Sequence, residues 1–296
     1  MCPCGCLSHF WRHVVRFCCH HNHAHLQALL ILGCFRLLGR AVVYDEVAEA
    51  IASSERVVCR FFKDFVRRWS RTKYDEWVCA PRTADEFWKN EAAYRVAGFP
   101  GCGWSTDCVH LAWDRCPHVQ RNAHVGKEGF PSLVFQVTFN HKRKILATTC
   151  GMPGAVNDKV RSYGYMPVFA AHFTNLTAGA WYCFHVLQQT IARLDPFLTE
   201  VRDGVILSDI KYDVYDKDGG KHVMSGAWGL VDGGYHRWLT MFGPFLAFNE
   251  RDALWSAWSA SLRKDSEDGF GILKGMFSSF FFVRGLYCLS MHRMHL

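Results

Sequence analysis

The sequence predicts an α/β protein in which an all-helical N-terminal region precedes a mixed sheet flanked by helices. Three observations carry this expectation. Apolar residues recur at three- and four-residue steps up to about residue 95. From Gly98 the texture changes to short runs rich in β-branched and aromatic residues, separated by turns. Helical periodicity then returns over Asn249 to Phe277, with a break expected before Ser261.

The chain has 296 residues, 50% apolar, 15% aromatic and 21% charged. Such a composition can bury a sizeable core and excludes a chain that is disordered throughout. A net charge of +7 admits an anionic partner such as nucleic acid without requiring one. The 14 cysteines lack the density and even spacing of a disulfide scaffold and read as reduced thiols. No membrane span is expected, because Leu26 to Leu38, the longest apolar stretch, is interrupted by Gln27, Gly33 and Arg36. It also falls short of the roughly 20 residues needed to cross a bilayer. The histidines His20, His21, His23 and His25 before it argue against a cleaved secretory leader.

Taken in order, residues 1–25 form a biased leader with Cys2, Cys4, Cys6, Cys18 and Cys19 ahead of the histidines. Its C-x-C and H-x-H spacings meet the paired geometry of structural zinc modules only loosely, so a disordered leader is expected. Residues 26–95 read as helical. Leu26 to Leu38 forms one helix and Arg40 to Ile51 a second, while Ser53 and Ser54 offer N-caps for a third that carries Val58, Phe61, Phe62, Phe65 and Trp69. Arg56, Arg60, Lys63 and Arg67 share one face of that helix. The spacing is that of a helix-turn-helix whose basic helix could lie against DNA phosphates, and equally that of a helical hairpin with a solvated basic side.

Residues 96–278 form the α/β region. Gly103 to Trp113, Ser132 to Phe139 and Lys144 to Cys150 read as three sequential strands, the last two joined by a turn at Asn140 to Arg143. Helical sequence follows around Val160 to Ala170, then strands near Val205 to Leu207 and at Ala227 to Val231. Two carboxylates fall where a bare charge is costly to bury, Asp107 within the first strand and Asp232 at the end of the last. A third acid lies among Asp265, Glu267 and Asp268. Helical phase places Glu267 nearest the apolar stripe of Phe270, Leu273 and Phe277, and turns Asp268 away.

Four blocks carry a resemblance: GFPGCGWSTDCVH (Gly98 to His110), GMPGAVND (Gly151 to Asp158), LVDGGYHRW (Leu230 to Trp238) and SLRKDSEDGFGILKGMF (Ser261 to Phe277). In this order, behind a helix-turn-helix-like segment, they resemble the motif blocks of PIF/Harbinger-type transposases, the DDE superfamily endonucleases that include plant transposon proteins and the Harbinger transposase-derived nuclease. The resemblance spans roughly Tyr44 to Phe277. Asp232 and Glu267 are 35 positions apart (267 − 232), a separation typical of such enzymes.

The resemblance implies an RNase H-like fold with Asp107, Asp232 and Glu267 as the catalytic and metal-liganding triad for two Mg²⁺ or Mn²⁺ ions. It also implies a DNA substrate cut at transposon ends, a nuclear location, a Myb-like DNA-binding partner protein and room for a homo-oligomer. Asp158 falls outside the triad and reads as a helix cap. Lys127, Lys142, Arg143, Lys144, Arg263 and Lys264 are charges of which some would meet phosphates. The chain departs from the pattern at Asp268 and Gly269, the latter costing the helix about 1 kcal/mol relative to Ala. It departs again over 279–296, a divergent segment that reads as truncated. The other expectation is therefore a catalytically inactive, transposase-derived protein that binds DNA or another protein.

Overall fold

A computed structural model describes residues 24–40, 42–113, 116–126, 128–149, 151–154, 192–216, 218–233, 235, 238–244 and 249–276. The expectations for the cysteine- and histidine-rich leader, Lys127, Asp158, the helix over 160–170 and the segment 279–296 lie outside these residues.

Three helices open the described chain: α1 (Ala24–Arg40), α2 (Tyr44–Ala50) and α3 (Glu55–Trp77). They pack around Leu30, Leu37, Val47, Val58 and Phe62. The α1 helix runs through Gly39, so the second helix begins at Tyr44 rather than Arg40. Between α2 and α3 the chain turns through Ala52, which adopts a left-handed φ of 50°. Ser54 then sits extended, and its hydroxyl accepts the Val57 N–H at 3.4 Å, the cap expected from sequence. Arg56, Arg60, Lys63 and Arg67 are all exposed, with Arg67 paired to Asp64 at 3.0 Å.

Helix α4 (Ala84–Val96) starts with a capping box in which the Thr83 hydroxyl accepts the Glu86 N–H and Glu86 reaches back to the Thr83 N–H. Its buried Glu91 accepts the Gly101 N–H at 3.0 Å and the Arg95 guanidinium at 2.9 Å, fastening the helix to the start of β1 (Cys102–Ala112). Removing that carboxylate leaves a buried N–H without its acceptor. Glu91→Ala should therefore cost about 2 kcal/mol, read as a lower urea midpoint with an unchanged m-value; a midpoint equal to wild type would show that the bond contributes nothing.

The main sheet has the order β3-β2-β1-β7-β8, from β3 (Ile145–Thr148), β2 (Ser132–Phe139), β1, β7 (Trp228–Leu230) and β8 (Met241–Phe242). The short β4 (Met152–Pro153) pairs with β2 beside β3. β2 runs antiparallel to β1 and β3, whereas β1, β7 and β8 are mutually parallel. This is the RNase H-like arrangement, a mixed sheet with helices packed on it. The described helices beside it include α5 (His118–His124), α6 (Pro196–Arg202) and α7 (Glu250–Met276).

Strand alternation divides the core between two faces. Trp104 of β1 packs with Phe87 of α4 and with Phe197, Leu198 and Val201 of α6. Val109 and Leu111 of β1, with Leu133, Phe135 and Phe139 of β2, meet Phe270 of α7 on the other side. Asp107 is in phase with Val109 and Leu111. It therefore faces α7.

Residues 205–207 form bends rather than a strand, and Leu207 has a left-handed φ of 57° that a strand cannot include. The strands of that region are the hairpin β5 (Lys211–Tyr215) and β6 (Lys221–Ser225), whose side chains are largely exposed and so carry little of the buried alternation that reveals a strand. Helix α7 is also continuous across Ser261. Gly269 within it is a close-approach position, because a Cβ there would lie 2.7 Å from the Phe139 ring. The helical propensity lost at Gly269 is exchanged for contact between α7 and the sheet.

Candidate active site

The site is built from one strand, one turn and one helix. Asp107 projects from β1 toward α7, its side chain only 14% exposed. Its Oδ1 accepts the Cys108 N–H at 2.8 Å, and its Oδ2 accepts Arg263 Nη1 at 2.5 Å. Burial pushes its carboxyl up to about 6 against the opposing pull of Arg263 and the Cys108 N–H, and the negative charges of Asp232 and Glu267 push the same way as burial.

Asp232 lies two residues beyond β7, next to β1 in the sheet. Its Oδ1 accepts the Gly233 N–H at 2.6 Å, and its carbonyl accepts the Tyr235 N–H at 3.1 Å, so the chain turns sharply there. The Tyr235 hydroxyl lies 3.3 Å from Cys108 Sγ, which ties this turn to β1 one residue from Asp107. Tyr235 and Cys108 are both buried enough to stay protonated; burial pushes the Cys108 thiol up to about 12 and raises the Tyr235 phenol well above its ordinary range. They act as a fastener for the turn. The sequence signal was the LVDGGYHRW block, but nothing in it paired Tyr235 with Cys108, 127 positions away.

Glu267 is on α7 with its side chain 55% exposed, one helical turn beyond Arg263, whose Nη2 donates to Glu267 Oε1 at 3.3 Å. Glu267 does not lie on the buried stripe of α7, contrary to the expectation from helical phase. The face of α7 turned to the sheet carries Asp265, Ser266, Gly269 and Phe270, and Glu267 stands at its margin. What separates the three acids is their partners. Asp265 accepts His141 Nδ1 at 2.9 Å and lies 3.4 Å from Arg143, while Asp268 receives Arg143 at 2.7 Å, so both fasten the β2–β3 turn to α7. Glu267 is the acid that Arg263 links to Asp107. Arg143 is thereby engaged with carboxylates, whereas Lys142, Lys144 and Lys264 are exposed or nearly so.

The three acids supply only oxygen ligands, the donor chemistry preferred by hard divalent cations. Their charges also act on one another at Asp107. In the present arrangement, no three His, Cys, Asp or Glu side chains among the described residues stand together so as to hold one metal ion. The Arg263 guanidinium pairs with both Asp107 and Glu267 and provides positive charge of the kind a metal would bring. The residue set fits a divalent ion in kind, provided that this guanidinium withdraws.

Residues 86–185 match a family described as plant transposon protein. Over that stretch the chain is similar to a transposase-related family. The matched segment runs from α4 through the strand that carries Asp107 and stops before Asp232 and Glu267. The chain matches no curated protein and no solved structure. No helix among the described residues is long and apolar enough to cross a membrane.

Proposed function

We propose that this chain is a PIF/Harbinger-type DDE transposase, a metal-dependent endonuclease that cuts DNA phosphodiester bonds at transposon ends in the nucleus. The observation that carries the reading is the meeting of Asp107 and Glu267 on the Arg263 guanidinium, with Asp232 beside them, in a chain similar to a transposase-related family and folded around an RNase H-like sheet. Asp107, Asp232 and Glu267 are the residues that would hold Mg²⁺ or Mn²⁺. Bound there, a pair of such ions supplies an activated water or 3′-hydroxyl and charge stabilisation at the leaving oxygen.

The protein's own part is to bring a strand residue, a turn residue and a helix residue together on a rigid scaffold. Burial of Asp107 among apolar neighbours keeps bulk water from screening it. The exposed row of Arg56, Arg60, Lys63 and Arg67 on α3 would neutralise backbone phosphates and bring DNA to the site. A Myb-like partner protein and self-association belong to the same proposal.

The test is Mn²⁺-dependent nicking of supercoiled plasmid by the purified chain beside Asp232→Asn, which keeps shape and removes a charge. The expected result is nicking by wild type and a loss of about 100-fold or more in the variant, the scale of effect seen when a group that stabilises the transition state is removed. Equal nicking would point to a contaminant and overturn the reading. The ion pair of Arg263 favours a second reading, a non-catalytic descendant that keeps DNA binding through α3. A folded wild-type chain that binds DNA and never nicks it would establish that alternative.

A further inference from the structure

We infer that Arg263 is an internal counter-ion that holds the triad closed in the metal-free protein and must leave it for a divalent cation to bind. The inference rests on the metal-dependent reading above and concerns what controls occupancy of that site. The guanidinium donates to Asp107 Oδ2 at 2.5 Å and to Glu267 Oε1 at 3.3 Å, thereby spanning two of the three proposed ligands. Its side chain is only 19% exposed, so it is a built part of the site rather than a surface charge that happens to reach it.

A second observation points the same way. Arg263 Nε is buried and has no hydrogen-bond partner in the structure. A guanidinium placed as a permanent structural clamp would be expected to satisfy its buried donors, because an unpaired buried N–H costs about 1–3 kcal/mol. Arg263 instead keeps its two charge contacts and leaves Nε unmet. Its position is one held by charge, and a divalent ion competes for that same charge.

The geometry makes withdrawal simple. Arg263 and Glu267 are four residues apart on α7, so the long arginine side chain can swing away while the backbone carrying Glu267 stays in place. Without either cation, buried Asp107 would face the charges of Asp232 and Glu267 uncompensated. The arginine therefore shields these carboxylates from one another and lowers their apparent metal affinity, so that the ion is taken up only where its concentration overcomes that competition.

The experiment measures Mn²⁺ binding directly, by loss of the free Mn²⁺ paramagnetic resonance signal, for wild type, Arg263→Gln and Arg263→Lys, with folding checked by circular dichroism. Removing the competing charge in Arg263→Gln should tighten Mn²⁺ binding about tenfold, the effect of releasing one charge-assisted contact. Arg263→Lys, which keeps a charge and loses the fork, should fall between. Equal or weaker binding by folded Arg263→Gln would overturn the inference and make Arg263 an orienting residue. Should the glutamine variant not fold, a second measurement on wild type decides: Mg²⁺ should shift one arginine Nε–H resonance, assigned by its absence in Arg263→Lys, and a resonance that does not move would overturn the inference. Failure of the underlying reading looks different, because then neither wild type nor any variant would take up Mn²⁺ at millimolar concentration.

Discussion

Asp107→Asn will abolish metal-dependent nicking, by about 1000-fold or more, and at neutral pH in metal-free buffer the variant will unfold at higher urea than wild type. The loss follows from removing the buried ligand at the centre of the set, whose neighbours cannot substitute for its oxygen charge. The gain in stability follows from linkage. Asp107 is held at about 6 in the folded chain against an ordinary value of 3.8. A carboxyl raised in this way binds its proton more tightly when folded, so its contribution is fully present below about pH 3.8 and is lost as pH rises through about 6. The two-unit difference corresponds to about 3 kcal/mol of strain carried by the ionised form above pH 6.

Asparagine resembles the protonated acid and escapes that cost. The difference between variant and wild type should therefore be largest at pH 7–8 and vanish near pH 4. Apparent Mn²⁺ affinity at Asp107 should in turn weaken as pH falls through about 6, because below it a proton competes with the cation for the carboxylate. Unimpaired nicking by the variant would remove Asp107 from the catalytic set. A variant less stable than wild type at pH 7.5 would mean that the ion pair with Arg263 outweighs the cost of burial.

Gly229→Val is expected to prevent folding altogether. Gly229 lies opposite Trp104 in the parallel register of β1 and β7. A Cβ at this position would overlap the Trp104 indole ring. The ring cannot give way, because it is fully buried and packed edge-on against Phe87 and Phe197, with centroids 6.4 and 4.9 Å away. Alanine alone should cost about 3 kcal/mol, the upper range for overpacking a core; valine adds two further carbons to the same overlap. Asp232, three residues on, would lose its place with the strand. Gly39→Ala is the control, since nothing lies within 4 Å of a Cβ there and the exposed site is helical. It should gain less than about 1 kcal/mol, the difference between Ala and Gly in a helix interior, because Gly39 is one residue from the helix end. Urea titration of the alanine variants at the two positions reads the contrast, and a Gly229→Ala midpoint equal to that of Gly39→Ala would refute the packing argument.

These outcomes depend unequally on sequence and tertiary structure. Several elements were legible because their causes are local. The limits of β2 at Ser132 and Phe139 follow from an apolar run between turns, and the Ser54 cap follows from a small hydroxyl residue ahead of an apolar helical pattern. The capping box of Thr83 and Glu86 was equally local and available to the same reasoning. The β5–β6 hairpin escaped because exposed strands carry no hydrophobic alternation, and β4 and β8 because two residues are too few to show a period.

The candidate site divides along the same line. By itself, the sequence determined the α/β class, the strand that carries Asp107, the end of the strand that leads to Asp232, and the helix that bears Glu267, because each depends on periodicity within a few residues. Only the tertiary structure decided the order β3-β2-β1-β7-β8, the burial of Asp107, the partners that remove Asp265 and Asp268 from the choice, and the place of Arg263 between Asp107 and Glu267. The contacts of Asp107, Asp265 and Asp268 join residues more than 100 positions apart. They arise from which faces of the sheet must be covered, a requirement that local pattern does not record.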